Sequence, residues 1–196
     1  MKYQPFEPSH FYHLYNRENN KENIFKNCGN YEYFLLLVKK YLIPICDIYS
    51  YCLLPNHFHF IIKIKDSNKL PENIKTGASK IHQPFSNLFN AYTKAINKEQ
   101  NRTGSLFQEH LKRIKINNEE YLRNLIAYVN TNPTHHAISN YEYYKYSSYK
   151  GLLSKKPTLL KRVKVLDLFE DDENFVYVHN IKKDNLNNLK EFILEN

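Results

Sequence analysis

The sequence predicts an α+β fold: a ferredoxin-like split βαβ sheet, read in the order β-α-β-β-α-β, extended by one more helix and a short helical tail. Three observations lead there. Short β-rich segments alternate with stretches whose apolar residues recur every three to four positions. Two adjoining β-rich runs are separated only by Pro55-Asn56, a tight-turn pair that marks an antiparallel hairpin. The chain has 196 residues, enough for one well-buried domain plus an appendage.

The elements follow in order. Phe11-Tyr12-His13-Leu14-Tyr15-Asn16-Arg17 alternates as a first strand and passes into a polar loop from Glu18 to Glu22. From Asn30 to Leu42 the residues Tyr31, Phe34, Leu35, Val38, Tyr41 and Leu42 share one helical stripe, with Asn30 placed as N-cap and Pro44 as the stop. Ile45 to Leu54 and His57 to Lys65 are the hairpin strands. Asp66 to Gln83 is polar and irregular and reads as a surface loop. A second helix starts near Pro84 with Phe85, Leu88, Phe89, Tyr92 and Ile96 on its stripe. Gly104 to Ile116 supplies the fourth strand, with Lys112 on one face and Arg113 and Lys115 on the other. A third helix runs from about Asn118, carries Glu119 and Glu120 where the macrodipole favours anions, and is expected to stop before Pro133. Tyr141 to Tyr149 is a tyrosine-rich loop. Beyond Gly151 only two short helical stretches are expected, around Val163 to Phe169 and Leu186 to Leu194. The chain thus divides into a main domain, 1 to 154, and a helical tail, 155 to 196.

Charge follows the same division. Lys and Arg number 28 against 20 Asp and Glu, a net charge of +8 and a pI near 9.2. Residues 1 to 154 hold 20 basic and 12 acidic side chains, and 155 to 196 hold 8 of each. All the excess lies on the main domain, which fits a polyanionic partner there. Cys28, Cys46 and Cys52 are odd in number and lack C-x-x-C spacing, so reduced, cytosolic thiols are expected. The N-terminus has no apolar leader, and the longest apolar run, Phe34 to Val38, is far below the ~20 residues that span a bilayer. A cytoplasmic protein with no membrane partner is the expectation.

The run Leu54-Pro55-Asn56-His57-Phe58-His59-Phe60-Ile61-Ile62 carries chemistry. In a strand His57 and His59 project together while Phe58, Phe60 and Ile62 turn to the other face. Two imidazoles on one face are half of a metal site, or two histidines on a partly exposed strand. In the third helix Tyr128 and Asn132 are i and i+4, which sets a phenol and a carboxamide on one face. A carboxamide oxygen suits a hard cation, and a phenol can attack phosphorus; equally, Tyr128 can belong to the core and Asn132 can cap the helix.

Five ordered motifs resemble a known family. They are Tyr12-His13-Leu14-Tyr15-Asn16-Arg17-Glu18-Asn19-Asn20 with Ile24-Phe25, then Leu54-Pro55-Asn56-His57-Phe58-His59, Gly104-Ser105-Leu106-Phe107-Gln108, Tyr128-Val129-Asn130-Thr131-Asn132-Pro133 and Tyr146-Ser147-Ser148-Tyr149. Together, over about residues 8 to 150, they look like the REP-associated tyrosine transposases, insertion-sequence 200-like members of the single-tyrosine HUH transposases. The resemblance implies that His57 and His59 are the HUH metal pair, Tyr128 the nucleophile and Asn132 a third ligand for Mg²⁺ or Mn²⁺. The chain departs from relatives at Thr134-His135-His136-Ala137-Ile138, where an arginine and a small pair are commoner, and at Tyr146, where tryptophan is. His135 and His136, if extended, would face opposite ways and form no metal pair.

The implied reaction is metal-dependent cleavage and strand transfer on single-stranded DNA bearing a hairpin or repeat, through a 5′-phosphotyrosine, in a monomer or homodimer. Arg17, Lys112, Arg113 and Lys115 are the expected nucleic-acid contacts. Metal binding needs neutral imidazoles, so activity should fall as pH drops toward about 6.5. Two rivals share the sheet: a non-catalytic nucleic-acid-binding module derived from a transposase, and a metal phosphodiesterase using water, for which Tyr128 would be dispensable.

Overall fold

The computed structural model describes residues 5–19, 22–77 and 79–184. Strands β1 (Phe11–Arg17), β2 (Cys46–Leu54), β3 (His57–Ile64) and β4 (Lys112–Ile116) form one sheet in the order β2-β3-β1-β4, with every pair of neighbours antiparallel. Helix α1 (Cys28–Tyr41) crosses from β1 to β2, and the hairpin returns β3 into the space between them. This is the split βαβ arrangement of an α+β fold. A 3₁₀ turn (Ser67–Lys69) and a single-turn helix α2 (Glu72–Lys75) interrupt the loop expected between Asp66 and Gln83 before α3 (Gln83–Glu99) leads back to β4. After the sheet come α4 (Glu119–His135), α5 (Tyr149–Leu153), α6 (Arg162–Leu168) and α7 (Asp172–Asp184).

Alternation along β3 gives the sheet two cores. On one face Phe58, Phe60, Ile62 and Ile64 pack with Tyr12 and Leu14 against Phe34, Leu37 and Val38 of α1 and Leu88, Tyr92 and Ile96 of α3. Each such side chain contributes about 1.5–3 kcal/mol of burial. On the other face Cys52, Leu54, Ile61 and Ile116 meet Leu122, Leu125, Ile126 and Val129 of α4. The sheet is therefore covered on both sides, and α4 holds the face that carries His57 and His59.

Four boundaries differ from the sequence expectation. Helix α1 is capped by Asn27, whose extended backbone lets its side chain accept from the Asn30 N–H at 3.0 Å. Asn30 lies inside the helix, where its amide accepts from the Lys26 N–H and donates to Glu99 at the end of α3. Strand β4 begins at Lys112, because the segment before it makes no continuous ladder with β1: it meets that edge through the Glu18–Phe107 bridge, the Gln108 N–H to the Arg17 carbonyl, and the Asn16 amide to the Gln108 carbonyl. Helix α4 runs through Pro133 to His135. Proline removes one i→i−4 hydrogen bond, but the helix is held beyond it: the Ile138 N–H reaches the Pro133 carbonyl and the Ala137 N–H the Thr134 carbonyl, with Ala137 left-handed at φ 53°.

The fourth difference is α7. Its buried stripe pairs Phe175 with His179, and a histidine in an apolar position hides the helix from a count of apolar residues. Helix α7 packs on α4, and α6 lies against α5 and β2. Val165, Phe169 and Phe175 are fully buried in the α4 core, and Leu160 bridges to Ile48 of β2. His179 donates through Nδ1 to the Phe175 carbonyl at 2.7 Å and accepts at Nε2 from Asn130 at 3.0 Å. The side-chain oxygen of Asn130, Oδ1, in turn accepts from the hydroxyls of Ser50 and Ser148. The expected helical stretch at Leu186 to Leu194 lies outside the described residues. No helix among the described residues is long and apolar enough to cross a membrane.

Candidate functional site

Strand register assembles the site. His57 lies opposite Arg17, and His59 opposite Tyr15, so Arg17, Tyr15 and, two residues back, His13 share the histidine face. Lys112 of β4 is paired with Tyr15 and joins them. The His57 Nδ1–H donates to Asn56 Oδ1 at 2.7 Å, and His59 Nδ1 lies 3.0 Å from His13 Nε2. The rings of His13 and His59 are within 22° of parallel with centroids 5.2 Å apart, and Tyr15 stacks on His59 at 5.9 Å. His13, His57 and His59 are all buried.

The end of α4 closes over this face. The Tyr128 ring stands nearly perpendicular to His59, centroids 5.9 Å apart, and the His136 ring lies 4.7 Å from His57. Residues 128, 132 and 136 fall on one helical stripe. Asn132 lies between Tyr128 and His136 on that stripe, one helical turn from each. Asn132 is fully buried, and neither its oxygen nor its nitrogen has a hydrogen-bond partner among the described residues. His135 approaches Tyr128, 5.9 Å between rings, and burial holds its pKa below the ordinary histidine value.

A cavity of about 290 Å³ opens in front of the histidines, lined by Tyr15, Asn16, Arg17, Asn56, His57, His59, Gln108, Lys112 and His136. Arg17 and Lys112 give it a cationic rim, Arg17 with Nη2 3.7 Å from Glu18 and Lys112 with Nζ 5.7 Å from the Tyr15 centroid. Tyr128 and Asn132 are not part of this lining and are buried, Tyr128 only 3% exposed. Arg113 and Lys115 are not brought to the cavity. They point to the other face, where Arg113 packs over Phe6 at 4.5 Å and Lys115 pairs with Glu7 at 2.9 Å. Arg113 lines a separate groove of about 480 Å³ beside α3.

Among the described residues no group of three or more His, Cys, Asp or Glu side chains is arranged to hold a metal. The residues that could hold an ion here are His57 and His59 together with a donor of another type, for which the buried carboxamide of Asn132 is the candidate. Sequence reasoning left out His13, Asn56 and His136. His13 was legible as the strand partner two residues from Tyr15. His136 was set aside by treating the segment after Pro133 as extended, whereas it ends the helix.

No family profile matches the chain, and no curated protein matches it. A solved structure of a REP-associated tyrosine transposase bound to a REP hairpin is similar over 80% of this chain and 88% of its own, with a TM-score of 0.59 at 15% sequence identity. The chain has the fold of that transposase.

Proposed function

We propose that the chain is a transposase-like enzyme that cleaves and rejoins single-stranded DNA carrying a hairpin, with Tyr128 as nucleophile and a divalent ion, Mg²⁺ or Mn²⁺, at His57, His59 and Asn132. The observation that carries this reading is the meeting of His57 and His59 with the Tyr128–Asn132–His136 stripe of α4. The buried Asn132 amide, unpartnered among the described residues, fits a ligand role, since an oxygen left without a donor is a cost that coordination removes. When bound, the ion polarises the scissile phosphate and neutralises charge that develops there. His57 and His59 offer imidazole nitrogens and Asn132 a carboxamide oxygen. Arg17 and Lys112 hold the phosphate backbone at the cavity rim. The Tyr128 oxygen attacks phosphorus, the bond from phosphorus to the 3′-oxygen breaks, and the phenolic proton is balanced by the one the 3′-hydroxyl gains. The phosphotyrosine keeps the phosphodiester energy, so a second 3′-hydroxyl reseals the strand without a nucleotide cofactor.

Burial of Tyr128, which is not part of the cavity lining, favours a second reading, a DNA-hairpin-binding module that does not cut. One experiment separates the two. The full chain is incubated with labelled hairpin-bearing single-stranded DNA and Mn²⁺ or Mg²⁺, and a denaturant-resistant protein–DNA adduct is sought. The enzyme reading expects an adduct that EDTA and Tyr128→Phe abolish. Binding without any adduct, or an adduct undiminished in Tyr128→Phe, overturns it.

A further inference from the structure

We propose that His13 and Asn56 are positioning residues that make Nε2 the ion-binding atom of His59 and His57. This rests on the metal reading above and deepens it. Both histidines have Nδ1 engaged, His57 with Asn56 Oδ1 at 2.7 Å and His59 with His13 Nε2 at 3.0 Å. An amide oxygen only accepts, so a neutral His57 bonded to it carries its proton on Nδ1 and its lone pair on Nε2. At His59 the same outcome follows when His13 Nε2 accepts, which places the His13 proton on its own Nδ1. The bond thus transfers the choice of the His59 tautomer to a residue on the neighbouring strand.

The packing supports a role in aiming the rings as well as in choosing the tautomer. His13 is 2% exposed and His59 1%, so water does not compete for their bond. Tyr15 flanks both rings, 5.1 Å from His13 and 5.9 Å from His59, and restricts their rotation. Ligating histidines gain orientation and basicity from a hydrogen bond at the other ring nitrogen, and losing it typically weakens metal affinity by about 10–100-fold. Asn56 reaches the same end through the hairpin turn, which holds its amide beside the next residue's ring.

The test measures Mn²⁺ affinity of the full chain by the electron paramagnetic resonance signal of the free ion, with thermal unfolding in EDTA recorded for every variant. His13→Leu and Asn56→Ala are each expected to weaken Mn²⁺ binding by about 10–100-fold. His13→Gln, whose amide oxygen can accept from His59 Nδ1–H, is expected to restore most of the affinity, as is Asn56→Asp. A purely structural role would lower the melting temperature in EDTA and leave the affinity of the folded fraction unchanged. If His57→Ala loses Mn²⁺ while folded His13→Leu and Asn56→Ala bind it like the wild type, this inference falls and the metal site stands. If the folded wild type takes up no Mn²⁺, both fall together. Should His13→Leu not fold, an affinity of His13→Gln no better than that of His57→Ala overturns the rescue and with it the role of His13.

Discussion

Phe58 and Phe60 alternate with His57 and His59 along β3, and the two faces they supply are built differently. On the phenylalanine face the rings interlock, Phe34 against Phe58 at 5.4 Å, Phe58 on Phe89 at 5.7 Å and Phe34 edge-on to Tyr92 at 5.0 Å. Deep hydroxyls on this face are bonded to backbone: Tyr92 Oη donates to the Ile24 carbonyl at 3.0 Å, and Tyr12 Oη accepts from the Glu7 N–H at 2.8 Å. On the other face, beside the apolar contacts that Leu54 and Ile61 make with α4, the rings of His57, His59 and Tyr128 meet, and the carboxamide of Asn132 is unpartnered among the described residues. A period-two strand can thus set a wholly apolar stretch one residue away from a polar one, with both faces of the sheet buried and the spare polar capacity confined to one of them.

The largest test of that division is Phe34→Ala. It opens a cavity in the aromatic face, and a loss of about 3–5 kcal/mol in urea unfolding is expected. A cost below about 1 kcal/mol would mean that the aromatic face does not carry the fold.

A smaller effect comes from His179, which ties α7 to α4 on the histidine side. Burial pushes its pKa down to about 4. The unfolded chain, with its histidines near 6.5, binds a proton that the folded chain refuses, so stability rises with pH through this window. The contribution is fully present above about pH 6.5 and is lost as pH falls toward 4, by up to about 3 kcal/mol. Unfolding free energies measured across that range should show the slope, and His179→Gln should flatten it. An unchanged slope in His179→Gln would place the titration elsewhere.

The sequence made the aromatic face more legible than the histidine face. Strand β1, the hairpin and the stripes of α1 and α3 follow from periodicity because only burial decides them. The pairing of His57 with His59 and of Tyr128 with Asn132 also follows from spacing, since each lies within one element. What spacing does not give is the contact between elements. His13 reaches His59 only through the β1–β3 register, and His136 reaches His57 only because the helix continues past Pro133. Arg113 and Lys115 were separated from Lys112 by strand alternation alone, and the structure keeps them on the far face. Helix α7 was hidden because a buried histidine, His179, bonded to Asn130 of α4, occupies a position that a hydropathy pattern expects to be apolar.

The smallest effect bears most directly on the comparison. Leucine has nearly the shape of asparagine and no polar atoms, so Asn132→Leu removes two buried groups that have no partner among the described residues and should stabilise the metal-free chain by about 1–2 kcal/mol. The same change on a fully bonded amide such as Asn130, which holds Ser50, Ser148 and His179, should destabilise instead. Adding Mn²⁺ then separates latent function from mere imperfection. An ion that binds only the folded state raises the melting temperature of the wild type, and Asn132→Leu should lose most of that rise while keeping its higher starting point. A variant less stable than the wild type in EDTA would mean that the amide is already satisfied, and the two faces of β3 would then differ in composition but not in how completely their groups are used.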